Sequence, residues 1–250
     1  MKNSLLGLIL LLSVCTSNVW SDTEEYLISL SKDTKQHFFN NDTVIQNDTH
    51  IQIQVPVFAD NPAQVPVFID ASFYKNAQRL LVFADLNLIQ SILDMTVIDF
   101  IPTISVNIKV AQSTPLRVAV LDDKNIWHLA TADIHSQGGG CSVEVDSNKA
   151  NKKQKLLGKT RGKFLKSDDT FSLKFSIYHP METGLFFGNS EFYINTLEIL
   201  DDNKAIVHIK TSSAVSENPR FEFKKLYGKG LYTIIMNDTD GNTFTLKPKK

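Results

Sequence analysis

A chain of 250 residues with 42% hydrophobic and 21% charged residues has ordinary globular composition, which excludes a wholly disordered chain and a disulfide-dense miniprotein. Its 26 basic and 27 acidic residues nearly cancel, leaving too weak a field for general nucleic-acid or anionic-membrane binding. Only two cysteines occur, Cys15 and Cys141, so any thiol chemistry rests on where these two lie.

In chain order, Lys2 precedes an apolar run from Leu5 to Cys15, which at about eleven residues is too short to span a bilayer as a helix. With Val19-Trp20-Ser21 ahead of Asp22, residues 1–21 read as a secretory signal cleaved after Ser21, and the mature chain as periplasmic. Val14 stands where a lipoprotein signal has Gly, Ala or Ser, which argues against lipidation of Cys15. Cleavage leaves Cys141 as the single cysteine, unable to form an internal disulfide and exposed to oxidation unless buried or used. No later segment is apolar for 18 residues, so no membrane span is expected.

Thr23 is placed to cap a short helix through Glu24 to Ser31. Beyond it strand signals dominate. Period-two alternation occurs at Ile51, Ile53, Val55 and Val57, at Ile104, Val106, Ile108 and Val110, and at Phe171, Leu173, Phe175 and Ile177, each implying a strand with one buried face. Leu86 to Leu93 is ambiguous and is read as strand or loop. Turn chemistry at Asp122-Asp123-Lys124-Asn125, Asp201-Asp202-Asn203 and Asp240-Gly241-Asn242 separates the runs. The expected fold class is all-β: two immunoglobulin-like sandwiches in tandem, residues 22–141 and 159–250, joined by a flexible polar linker at 142–158.

Gln137-Gly138-Gly139-Gly140-Cys141 closes the first half. Three glycines pack nothing, so they serve either a tight turn or mobility. The polar linker after them favours mobility, and the stretch from Ile134 to Cys141, fully extended, would carry the sulfur ~20 Å from the sandwich. His135 and nearby lysines would favour the reactive thiolate if they are also spatial neighbours. The alternative is a cysteine in an interdomain loop of no consequence. A Cys-His hydrolase needs a base and an oxyanion hole on a rigid frame, and none of His37, His50, His128, His135, His179 or His208 has a telling spacing to Cys141. His179 and Met181 form an H-x-M pair of a kind exported copper carriers use, but Ser142 to Gln154 holds neither the His nor the Met a cupredoxin has after its Cys. No metal site and no cofactor are therefore assigned, and copper binding stays as a minor alternative. Asn-Asp-Thr at positions 41, 47 and 237 reads as turn chemistry rather than as glycosylation.

Residues 159–248 resemble SoxZ, the smaller subunit of the thiosulfate-oxidation carrier complex. The resemblance lies in His179-Pro180-Met181-Glu182-Thr183-Gly184, in Ser216-Glu217-Asn218-Pro219 with Phe221 and Phe223, and in Asp238-Thr239-Asp240-Gly241. The first half, from Asp60-Asn61-Pro62-Ala63-Gln64-Val65-Pro66-Val67 through Gly139-Gly140-Cys141, is similar to SoxY. Both in one polypeptide look like the fused SoxYZ-like carriers associated with periplasmic quinoprotein dehydrogenases. The resemblance implies a non-catalytic carrier in which Cys141 holds a sulfur-containing intermediate covalently. It also implies that Gly138, Gly139 and Gly140 form its arm, that His179 to Gly184 form a docking or structural loop, and that the partners are periplasmic redox or hydrolytic enzymes. Two departures bear on thiosulfate chemistry: Cys141 runs into Ser142 and a linker instead of a free terminus, and Phe186-Phe187 replaces an expected basic pair. A purely non-covalent interaction module for a periplasmic dehydrogenase is the main alternative.

Overall fold

The alternating runs become strands whose inward residues are buried and whose outward residues are polar. In the computed structural model, residues 30–40, 42–140, 155–167, 170–185, 190–226 and 230–248 are described. The signal segment, the Thr23-capped helix, Cys141, most of the linker and Phe186-Phe187 lie outside them. One helix, α1 (Lys32–Phe39), opens the described chain. The first half continues through β1 (Val44–Gln46), β2 (Gln52–Gln54), β3 (Phe58–Ala59), β4 (Val65–Asp70), β5 (Arg79–Ala84), β6 (Ser91–Val97), β7 (Thr103–Ile108), β8 (Thr114–Leu121) and β9 (Trp127–Ser136). The second half holds β10 (Thr160–Ser167), β11 (Thr170–Ile177), β12 (Glu182–Thr183), β13 (Glu191–Phe192), β14 (Ile194–Asp201), β15 (Lys204–Thr211), β16 (Arg220–Leu226), β17 (Tyr232–Asp238) and β18 (Thr243–Leu246).

The two immunoglobulin-like halves are joined by more than the linker. A ten-stranded sheet runs β1-β9-β8-β5-β6-β15-β14-β17-β18, with β3 paired to β9, and a six-stranded sheet runs β10-β11-β16-β7-β4-β2. Each sheet crosses from one half to the other. In the first, β6 pairs antiparallel with β15 from Val97 opposite Val207 to Leu93 opposite Thr211. In the second, β7 pairs with β16 at Val106 opposite Phe221 and Ser105 opposite Glu222. One hydrophobic core follows, containing Ile92 and Met95 from the first half and Val207, Ile209 and Phe223 from the second. The Phe100 and Phe223 rings meet edge to face across the boundary at 5.6 Å, a favoured aromatic geometry.

A second, smaller core explains why β5 and β8 read as continuous apolar runs. Leu80, Val82, Leu116, Val118 and Val120 face the shared core, while Leu81, Phe83 and Ala119 face Phe39 of α1 together with Trp127 and Leu129. Ser31 caps α1 by accepting the Thr34 N–H, and Asn40 ends it in the left-handed conformation. Arg117 lies fully buried on β8, its guanidinium bonded to Asp85 at 2.9 and 3.0 Å and to the Thr131 hydroxyl at 2.8 Å. The alternation at residues 51–57 is only partly a strand. Pro56 has no N–H to donate, pairing stops after Gln54, and Val57 is 75% exposed. Leu86 to Gln90 is a loop, and β6 begins at Ser91.

Lys109 is a buried polar clasp between the halves. Only 8% exposed, it donates from Nζ to the Met181 carbonyl and, at 2.9 Å, to the Ser213 carbonyl. A buried cation without such acceptors would be strongly disfavoured. Replacing it leaves two buried carbonyl groups without their donor. Lys109→Ala is expected to cost about 2–3 kcal/mol of unfolding free energy, measured by urea denaturation. An unchanged midpoint would show that the clasp adds nothing to the strand seams.

At the far end of β9, His128 sits between two carboxylates, Nδ1 at 2.9 Å from Asp48 and Nε2 at 3.1 Å from Asp122. Asp48 also accepts from the Tyr74 hydroxyl, the His50 backbone N–H and the His50 ring. Burial favours its protonated form, but these hydrogen bonds outweigh burial and hold it at about 2. The unfolded carboxyl titrates near ~4, so the stabilisation is present above that pH and is lost as pH falls toward 2. The stability difference between the wild-type chain and Asp48→Asn should therefore shrink by about 2 kcal/mol from pH 5 to pH 2, followed by denaturant unfolding. A difference independent of pH over that range would refute this assignment.

Candidate functional site

The stretch ahead of Cys141 is seated against the fold. After β9, Gly138 donates its N–H to the Ser136 hydroxyl at 3.0 Å. Gly139 then donates to the Ala111 carbonyl and Gly140 to the Val110 carbonyl, both at 3.1 Å. Val110 in turn donates to the Pro62 carbonyl at 2.8 Å. Gly140 thus fills a slot between two backbones. A Cβ there would lie 2.0 Å from the Pro62 carbonyl oxygen and 2.6 Å from that of Val110, so no larger residue fits without displacing main chain. Gly138 is constrained twice, by φ of 88° and by a Cβ position 2.5 Å from the Ala111 carbonyl oxygen. Of the two uses open to these glycines, the described backbone shows close approach and turning. The ~20 Å reach expected of a free arm starting at Ile134 is not available while β9 is paired through Ser136 and the glycines are bonded.

The receiving wall has its own support, in a residue that belongs to no sequence motif. Asn87, 5% exposed, accepts the Ala111 N–H at 2.7 Å and donates from Nδ2 to the carbonyls of Lys109 and Ile89 at 3.1 and 3.2 Å. It thereby fixes the 109–111 segment that Gly139 and Gly140 bond. The Asn61-Pro62 pair was visible as part of a motif, and its structural task is to offer the Pro62 carbonyl. Cys141 itself follows Gly140 and lies outside the described residues. His135 is exposed on β9, its backbone N–H bonded to the Val57 carbonyl at 3.0 Å.

His179 to Gly184 form a folded corner at the boundary between the halves. His179 and Met181 are fully buried. Met181 adopts φ of 51°, unusual for a non-glycine residue, and is held there from several sides. Its N–H donates to His179 Nδ1 at 3.2 Å, its carbonyl accepts from Lys109, and its sulfur lies 3.4 Å from the Ile194 N–H. Pro180 links the pair, Glu182 and Thr183 form β12 against β13, and Gly184 turns at φ of 68°. The His179 and Asn218 main chains bond at 2.8 Å, and the Asn218 side chain accepts the His179 N–H at 3.1 Å. This joins two stretches that the sequence showed only as separate motifs. Asp238, the third, anchors the β17–β18 turn by accepting the N–H groups of Asp240 and Asn242, and its Oδ2 lies 3.5 Å from His179 Nε2. Burial pushes His179 below the usual imidazole range, against the pull of Asp238.

This geometry bears on the copper alternative. His179 Nδ1 and Met181 Sδ both face backbone N–H groups, and neither side chain reaches the surface. Among the described residues no group of three or more His, Cys, Asp or Glu side chains is arranged to hold a metal.

Comparison with known proteins agrees with this division of the chain. The model for sulfur oxidation protein SoxY matches residues 35–141, ending on Cys141, and the model for sulphur oxidation protein SoxZ matches residues 161–248. Among solved structures, the sulfur carrier protein SoxY from Chlorobium limicola f thiosulfatophilum is 24% identical, with 42% of this chain and 94% of that chain covered and a TM-score of 0.38. No curated protein sequence matches the chain. With a SoxY domain and a SoxZ domain in tandem on one polypeptide, the chain belongs to the SoxYZ-like carriers of sulfur oxidation.

Proposed function

We propose that this protein is an exported, non-catalytic carrier that holds a sulfur-containing intermediate covalently on Cys141 and presents it to periplasmic partner enzymes, within a quinoprotein dehydrogenase system. The observation that carries the reading is the seat of Gly140. The chain invests a buried Asn, a proline carbonyl and three glycines in fixing the backbone immediately before its one mature cysteine. A cysteine of no consequence needs no such mounting. The roles follow: Cys141 is the attachment point and nucleophile, active as thiolate. Gly138 to Gly140 are its mounting, and the His179 to Gly184 corner is structural, clasping the second half onto Lys109.

Intact-mass analysis of chain purified without reductant should show an adduct removable by dithiothreitol. After reduction, alkylation of the folded protein should add one label at Cys141. Folded protein that takes no label would sink the carrier reading. In a host assay of the dehydrogenase-dependent pathway, Cys141→Ser should abolish turnover while leaving the urea midpoint unchanged; full retained turnover would hand the case to a non-covalent interaction module.

The mounting is testable separately. Gly140→Ala places a methyl against two carbonyl oxygens and should lower stability by about 1–3 kcal/mol. It should also raise the alkylation rate of Cys141, because the last anchored residue is pushed from its slot. A variant as stable as wild type with an unchanged rate would show that Gly140 is not held there in solution.

A further inference from the structure

The outer face of the six-stranded sheet carries a feature the carrier role does not use. The inward residues of β7, β11 and β16 are core, so their outward neighbours form rows across the strands, and these rows cross the boundary between the halves. One row places Arg161 of β10 opposite Ser176 of β11, and Ser176 opposite Arg220 of β16, with Asn107 of β7 alongside. The next places Lys163 opposite Lys174 and Lys174 opposite Glu222, which faces Ser105. These side chains line a groove of about 480 Å³, the size of a small-molecule site.

The charge in this groove is lopsided. A chain with formal net charge of -1 concentrates Arg161, Lys163, Lys174 and Arg220 around one carboxylate, Glu222, which pairs with Lys174 at 2.9 Å. Among the described residues no ion pair engages Arg161 or Arg220. Lys163 and Lys174 lie directly opposite each other, a like-charge arrangement that destabilises a sheet. With strands ~4.8 Å apart, the two arginine Cα atoms stand about 10 Å from each other across Ser176. Long side chains at that separation can both reach one anion above the serine hydroxyl, and guanidinium is the group best matched to planar pairs of oxyanion oxygens. We propose that this groove is a binding site for a tetrahedral oxyanion, a sulfate, sulfonate or phosphate group, clamped by Arg161 and Arg220 over Ser176 and supported by Asn107, Lys163 and Lys174. A groove with two arginines facing each other across one strand fits such a compact anion better than the broad acidic surface of a protein, which calls for charge spread over a flat face.

Isothermal titration calorimetry of the full chain, with sulfate, methanesulfonate and phosphate as probes at constant ionic strength, tests this. At least one probe should bind saturably at one site. Arg161→Gln with Arg220→Gln should weaken that binding about tenfold or more, whereas Glu222→Gln, removing the one carboxylate, should tighten it. Arg161 and Arg220 are exposed and Glu222 is half-buried, and circular dichroism checks that the variants fold. Preference for the sulfur oxyanions or for phosphate identifies the source of the anion and upholds the site either way. No saturable binding of any probe, or equal affinity in all variants, overturns it. A poly-glutamate peptide that binds through the same arginines while no oxyanion binds also overturns it, in favour of an acidic protein partner. Cys141→Ser should leave oxyanion affinity unchanged, so failure of the carrier reading and failure of this site give different results.

Discussion

Two antiparallel seams, β6 with β15 and β7 with β16, set the terms for the rest of the molecule. Each half alone would present two exposed strand edges beside an open end of its core, and exposed edges invite pairing with other chains. Pairing the edges to one another removes that hazard and merges two small cores into one, burying a larger fraction of apolar surface than either half could alone. The relation of SoxY part to SoxZ part is consequently fixed by backbone hydrogen bonds and aromatic contacts.

That fixed relation explains where the polar exceptions lie. Lys109 leaves the first half just before the wall that receives Gly139 and Gly140, and its amine ends on carbonyls of the second half. Asn87 bonds the carbonyl of the same Lys109 and the N–H of Ala111. The mounting of Cys141 and the clasp between the halves therefore share residues 109–111. Met181, strained at positive φ, is held by Lys109 on one side and by His179 on the other. The His-Pro-Met-Glu-Thr-Gly motif is thus tied, through Lys109, to the segment that Gly139 and Gly140 bond.

Much of this was legible in the residues. Ile104 to Ile108 and Phe171 to Ile177 announced strands by strict alternation, and they are strands with buried inward faces, whereas Val110, although buried, lies past the end of β7. The two-part organisation was legible because each part carries its own motifs. What alternation cannot show is which edge meets which. Leu93 and Thr211 are 118 positions apart in the numbering, and their pairing follows from shape at the boundary, which no local pattern encodes. Pro56 was a local warning against extending β2 to Val57, outweighed in the reading by the apolar period. α1 is hard to read because Lys32–Phe39 has only Phe38 and Phe39 to place on a core, and its cap is a single Ser31. For the cysteine site, the glycines were legible as special but not as close-packed. Mobility and close approach use the same residue, and only the carbonyls of Pro62, Val110 and Ala111 decide between them.

That decision changes the mechanics expected of a carrier. Were the arm free from Ile134, the thiol would reach a deep catalytic site without disturbing the sandwich. With Gly139 and Gly140 bonded to Ala111 and Val110, Cys141 follows directly on an anchored backbone. The chain is anchored again where Gly158 donates to the Tyr178 carbonyl at 2.9 Å. A partner with a shallow site would leave that anchoring undisturbed. A partner with a deep one must first peel the glycines from their wall, breaking two backbone hydrogen bonds of about 1 kcal/mol each, a cost that its own contacts with the emerging chain must offset.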